Sequence, residues 1–96
     1  MIVCDAQRRV IALGRGVFEL TGYQERDLLG KDVSDGIGLS GFSSENPVVL
    51  ALEWGVRQLD QELTLRTRAG TTREVMADFF PAYDDDGGLL VSLAPR

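Results

Sequence analysis

The chain has 96 residues, enough for one domain with a modest core, and its 44% hydrophobic and 26% charged residues are typical of a soluble folded protein. The net charge of −5 disfavours binding to nucleic acid or to an anionic membrane, and the lack of histidine removes the commonest general base, zinc ligand and haem ligand. We recognise no membrane-spanning run and no secretory leader, and the single cysteine, Cys4, fits a reducing compartment, so we expect a cytoplasmic protein.

The predicted elements of the first third are short and are separated by turn residues. Apolar runs over 1–5 and 10–13 predict two strands that form a hairpin. Helical turns are predicted over 17–20 and 24–29, and a glycine follows each of them, where glycine commonly ends a helix. The sequence therefore predicts two strands and then two short helices.

The clearest helix follows a loop over 31–44 that is rich in Gly, Ser and Asp. Asn46 is a strong N-cap, and Pro47 is favoured at the first helical position. Apolar residues at spacings of three and four then predict the face that packs on the core: Val49, Leu52, Val56 and Leu59. Because this stripe continues past Gly55, we interpret that glycine as lying inside the helix, where a backbone or a ligand comes close.

Three strands are predicted for the last third. Strict alternation predicts strands over 62–68 and 72–82, and an apolar run predicts a third over 89–93. Turns rich in glycine separate them, the second being the acidic stretch 84–88. This order predicts an α+β fold over residues 1–96 as a single domain, with an antiparallel sheet and the helices gathered on one face.

The strand over 72–82 has apolar residues on both faces. Val75, Ala77 and Phe79 alternate on the face that we expect to meet the helices. Met76 and Phe80 point to the opposite face, which would be open to water or to a partner. Met and Phe between acidic residues favour a docking surface at this second face.

Motifs that would carry chemistry are incomplete. Gly14 and Gly16 begin a dinucleotide fingerprint, but Glu19 stands where its third glycine is required. The run 84–87 lacks the glutamate that closes a calcium-binding loop and is interpreted as a solvated turn. Cys4 has no histidine to activate it. We therefore expect neither a catalytic site nor a metal site, and the chain is predicted not to be an enzyme.

Trp54 allows two interpretations. On the predicted helix it lies with Leu50, on the side away from the apolar stripe. It either covers the edge of the core or serves as an aromatic contact in a cofactor pocket or with a partner.

The residues in order resemble a PAS domain. The segment 4–33, CDAQRRVIALGRGVFELTGYQERDLLGKDV, contains the aspartate, apolar strand, Thr-Gly-Tyr and Leu-Leu-Gly-Lys that such domains carry at this spacing. The segment 63–93, LTLRTRAGTTREVMADFFPAYDDDGGLLVSL, is similar to the three-strand meander that ends them. The resemblance covers nearly the whole chain. It implies a five-stranded antiparallel sheet with short helices and one longer helix over one face, in a sensory module cut from a larger, bacterial-type signalling protein.

The resemblance also bears on cofactors. Family members that form flavin–cysteine adducts carry an Asn-Cys-Arg motif near the long helix, whereas Cys4 lies on the first predicted strand, and haem-binding members usually offer a histidine. Both cofactors are therefore disfavoured, and the expectation is that none is bound. Two departures from the family pattern stand out: Gly14 replaces the usual asparagine, and 92–95 replaces the usual Asp-Ile-Thr ending.

Two functions follow from the resemblance. The first is a signalling module that forms a homodimer through the outer sheet face at Met76 and Phe80 and regulates a linked effector domain. The second is a sensor of a small molecule or of non-covalently bound flavin. Its pocket would be lined by Phe18, Tyr23, Val49, Leu52, Trp54, Val56 and Phe79. The alternative for the apolar members of this set is that they pack together as an ordinary core.

Overall fold

The structure is a computed structural model that describes residues 1–82 and 86–96. Within these residues it contains five strands: β1 Ile2–Cys4, β2 Val10–Leu13, β3 Gln58–Arg66, β4 Thr72–Pro81 and β5 Leu89–Pro95. The same residues form four helices: α1 Val17–Thr21, α2 Glu25–Leu28, α3 Val33–Gly36 and α4 Pro47–Trp54. The predicted turn over 84–88 lies partly outside the described residues.

The strands form one antiparallel sheet in the order β2-β1-β5-β4-β3. The first and last strands are neighbours at its centre, where Ile2 lies opposite Val91. β3, β4 and β5 form the predicted meander, and β1 and β2 form the predicted hairpin. The predicted α+β fold class, with a five-stranded antiparallel sheet, is confirmed.

The tight turn between β1 and β2 is organised by one carboxylate. Asp5 accepts hydrogen bonds at 2.9 Å from the backbone N–H groups of Gln7 and Arg9, and the Arg9 guanidinium donates a third at 3.0 Å. Partial desolvation opposes these bonds, but together they lower the pKa of Asp5. The side chain therefore satisfies backbone donors that the reversal of the chain would leave unpaired.

The core lies between one face of the sheet, called the inner face below, and the helices. Val75, Ala77 and Phe79 on β4 are buried as predicted, and so are Leu63 and Leu65 on β3. The helices bury a small set of aliphatic side chains against them: Val17, Leu28, Val33, Val48 and Ala51. The opposite face of the sheet carries none of these helical contacts and is called the outer face.

α4 begins as predicted but ends earlier. The Asn46 side chain accepts a hydrogen bond at 2.9 Å from the Val48 backbone N–H, and Pro47 follows as the first helical residue. Gly55 has a φ of 65° and caps the helix, because its backbone N–H donates to the Leu50 carbonyl. The interpretation of Gly55 as a glycine inside the helix is therefore wrong.

The early end of α4 also changes its buried face. Val48 and Ala51 are fully buried, while Leu52 packs against the core only in part. Val56 and Leu59 lie beyond the helix and are exposed. The predicted stripe is wrong at these two positions, because helical spacing has no meaning once a left-handed glycine has turned the chain.

Candidate functional site

The seven predicted pocket residues occupy three environments. Phe79 and Tyr23 are buried in the core, and Val49 and Leu52 are half-buried on α4. The exposed members are Phe18 (56%), Trp54 (70%) and Val56 (52%). The interpretation of Trp54 as a cover for the edge of the core does not fit this exposure. A pocket that uses the whole set remains a prediction.

The space between the sheet and the helices is filled by side chains. Phe79 and Leu65 on the sheet have no accessible surface, and neither do Ile37, Val48 and Ala51 on the side of the helices. A ligand-sized cavity between the two layers would leave part of these side chains accessible from inside. The described residues therefore do not fit a flavin or another large cofactor in this position.

Cys4 does not fit a covalent cofactor either. Its side chain points into the core from β1, and burial, assisted by the charges of Asp5 and Asp32, raises the pKa of the thiol to about 12. The thiol therefore stays protonated near neutral pH. A protonated and buried thiol is neither a nucleophile nor a metal ligand.

Phe18 and Tyr23 are two of the predicted pocket residues that the structure brings together. They line a surface cleft of about 220 Å³ beside the end of β2, together with Leu13, Gln24 and Glu25. Glu25 accepts a hydrogen bond at 3.3 Å from the Leu13 backbone N–H, which ties α2 to the strand. The cleft is open and small, and the predicted residues of α4 do not line it.

The outer face carries a continuous apolar row across four strands. Phe80 on β4 lies opposite Leu90 on β5, and Leu90 lies opposite Val3 on β1. Val3 in turn lies opposite Ala12 on β2. We call Ala12, Val3, Leu90 and Phe80 the outer row. Side chains directly opposite on neighbouring strands are in contact range, so these residues form one surface.

Met76, the other predicted interface residue, lies in a different setting. It is opposite Ala94, and the polar pair Asp78 and Ser92 separates it from the outer row. The Asp78 carboxylate accepts a hydrogen bond at 2.7 Å from the Asp60 backbone N–H. Met76 therefore adds an apolar spot beside the outer row and is not continuous with it.

Charged groups surround the Met76 end of the outer face. The Arg96 guanidinium contacts the carboxylates of Glu62 and Glu74 at 3.5 and 3.1 Å. Glu62 is also directly opposite Met76 on β3. The outer face is thus apolar near β1 and β5 and charged near the free edge of β3.

Sequence reasoning missed most of the outer row. Val3, Ala12 and Leu90 lie in short apolar runs, in which both faces look alike. The register that places them opposite Phe80 joins strands that are distant in sequence. Alternation within β4 was the one sequence signal for the outer face, and it predicted Phe80 there.

Neither a metal-binding cluster nor a membrane-spanning helix is found in the described residues. Within 1–82 and 86–96, no group of three or more Cys, Asp or Glu side chains could hold a metal ion. No helix in this part of the chain is long and apolar enough to cross a membrane.

Comparison with known proteins identifies the fold. No protein-family model and no curated protein matches the sequence. Among solved structures, the PAS domain of a protein from Colwellia psychrerythraea aligns with a TM-score of 0.75 at 17% identity, over 99% of this chain and 83% of that one. The light-state structure of the blue-light photoreceptor Aureochrome1 LOV aligns with a TM-score of 0.76 at 21% identity, over 99% and 79%.

A third structure is similar to the same extent. The PAS domain from the fruit-fly ELK potassium channel aligns with a TM-score of 0.74 at 17% identity, over 98% of this chain and 83% of that one. At such identities the likeness concerns the fold. The resemblance to PAS domains is confirmed at that level: the chain has the PAS fold.

Proposed function

We propose that the chain is a non-enzymatic PAS signalling module that forms a homodimer through the outer row and regulates a linked output domain. The observation that carries this proposal is the outer row itself: Ala12, Val3, Leu90 and Phe80 lie side by side on the face away from the helices. One face of an antiparallel sheet is normally polar when it faces water. An apolar row on that face is therefore surface that gains from being covered.

The distribution of charge supports a second copy of the chain as the partner. The net charge of −5 opposes close approach of two copies, but the carboxylates of Glu62 and Glu74 lie at the β3 side of the outer face and are partly neutralised by Arg96. Two sheets that meet on their outer rows would keep these groups at the rim. A polar rim around an apolar centre is the usual arrangement of a protein interface.

The absence of enzymatic activity is supported by the chemistry of the side chains. The chain has no histidine, and its one cysteine is buried with a raised pKa. Neither an ionised cysteine nucleophile near neutral pH nor a histidine base is therefore available among the described residues.

Sedimentation of the purified chain tests the dimer. We expect the wild-type protein to dimerise with rising concentration and Phe80→Asp to remain a monomer, because the charge would be buried unpaired within the interface. Met76→Asp should weaken the dimer less, since Met76 lies beyond Asp78 and Ser92. Val56→Asp is the matched control, because Val56 is an exposed apolar residue outside the sheet.

The control variant should dimerise like the wild-type chain. Two results would contradict the proposal. One is a wild-type chain that stays monomeric at the highest soluble concentration. The other is a dimer that survives Phe80→Asp.

The alternative function, a sensor of a small molecule or of non-covalent flavin, has less support. The helices would have to move away from Phe79 and Leu65 before a ligand could reach the predicted pocket. An absorption spectrum of the purified chain, with native mass spectrometry, separates the two functions. A coloured protein, or a mass above that of the bare chain, would favour the sensor.

A further inference from the structure

A cleft of about 370 Å³ opens where α1 meets the ends of β4 and β5. We call it the α1 cleft. Inner-face positions along β5 become steadily more accessible towards it: Val91 is buried, Leu93 is half-buried and Pro95 is exposed. The helices therefore do not cover the C-terminal end of β5. The α1 cleft is the wedge that they leave open.

Two arginines line the α1 cleft. Arg15 reaches it from the loop before α1, and Arg73 reaches it from the start of β4. Arg73 is held in position, because its Nη1 donates a hydrogen bond at 3.2 Å to the Leu20 carbonyl. Its other guanidinium N–H groups have no hydrogen-bond or ion-pair partner among the described residues.

These two arginines differ from several others in the chain. A second set of arginines has a carboxylate within ion-pair distance: Arg8, Arg9, Arg68 and Arg96. Among the described residues, Arg15 and Arg73 have no such partner. Glu19 also lines the cleft, so its charged side chains are two arginines and one glutamate, and positive groups exceed negative ones there. In a protein of net charge −5, this is a local reversal of sign.

The remaining wall of the cleft is apolar. Leu20 on α1 and Leu93 on β5 are half-buried and pack against the core, and Pro95 closes the wall at the end of the strand. A cation pair beside an apolar wall suits a ligand with one anionic head and an apolar body. The volume lies near the lower end of small-molecule sites, which run from roughly 300 to 1,000 Å³.

We propose that the α1 cleft binds a small organic monocarboxylate. Arg15 and Arg73 donate hydrogen bonds to the carboxylate, and the apolar tail lies against Leu20, Leu93 and Pro95. One carboxylate has two oxygens and can therefore accept hydrogen bonds from both arginines. The proposal does not depend on dimerisation, because the outer row is on the other face of the sheet.

Titration of the isotope-labelled chain with sodium octanoate, followed by NMR, tests this site. We expect saturable shifts at the backbone amides of 15–20, of Arg73 and of 92–94. Octanamide keeps the tail without the charge, and inorganic phosphate keeps the charge without the tail. Both probes should bind at least tenfold more weakly than octanoate, since octanamide lacks the charge and phosphate lacks the apolar tail.

Variants separate the cleft from other apolar surfaces. Arg15→Gln should weaken octanoate binding about tenfold, because one charge-assisted hydrogen bond is lost. Arg73→Gln should weaken binding to the same extent. If loss of the hydrogen bond to Leu20 disturbs α1 in that variant, Arg15→Gln still tests the site. Arg57→Gln is the matched control, since Arg57 is exposed and does not line the cleft.

Four results would overturn the proposal. Octanoate could produce no saturable shifts, or its shifts could centre on the outer row. The affinity could also be the same in Arg15→Gln and in wild type. Equal binding of octanoate and phosphate would likewise contradict it, because the apolar wall would then play no part.

Discussion

The two faces of the sheet are made by the same strands, yet they obey different constraints. Phe79 and Phe80 are neighbours of the same residue type on β4. Phe79 faces the helices and has no accessible surface, while Phe80 is half-buried on the outer face. The side chains of the inner face are determined by the helical side chains that pack against them. The outer face carries the apolar outer row with no helix packed over it, and it becomes polar and charged towards β3.

The largest expected difference between the faces is in stability. Phe79→Ala would leave a cavity among side chains that cannot collapse easily, so we expect a loss of about 4 kcal/mol in the free energy of unfolding. Urea denaturation followed by fluorescence measures this change. A loss below about 1 kcal/mol would mean that the inner face is not packed as described.

A second difference concerns the inner-face thiol. The unfolded chain ionises Cys4 above its ordinary pKa of 9.0, whereas the folded chain keeps the proton until about pH 12. Stability is therefore complete below pH 9.0 and falls as the pH rises further, by about 1.4 kcal/mol per unit. Denaturation at several pH values measures this slope. Cys4→Ala should remove the contribution of the thiol to this pH dependence. An unchanged slope in that variant would contradict the burial of the thiol.

The smallest expected effect on folding is at the outer face. Phe80→Ala, measured at a concentration where the chain is monomeric, should change the free energy of unfolding by no more than about 1 kcal/mol. The same variant should weaken dimerisation strongly. A loss of stability similar to that of Phe79→Ala would mean that the outer row serves the fold alone.

The sequence predicted the inner face of the sheet more completely than the outer face. Alternation in β4 identified the inner face correctly, because burial on one side imposes a period of two on a single strand. The outer row depends on the register between β1, β2, β4 and β5, which no single segment encodes. Phe80 was found, and its three neighbours in the row were not.

α4 shows a different limit of sequence reasoning. Apolar residues continued at helical spacing through Val56 and Leu59, although the helix stops at Trp54. Gly55 can lie inside a helix at a modest cost or end it in the left-handed conformation, and the spacing alone does not distinguish the two. The predicted pocket depended on this helix. The exposure of one predicted member, Val56, follows from the same error.

The pairing of β1 with β5 has a consequence for the way this fold is built into larger polypeptides. Ile2 and Val91 are opposite each other on antiparallel strands, so the chain enters and leaves the sheet at the same end. Any polypeptide that preceded β1 and followed β5 would emerge side by side. Such a unit can be inserted into a surface loop of another domain without forcing the ends of that loop apart. It also completes its central strand pairing only after β5 has been synthesised.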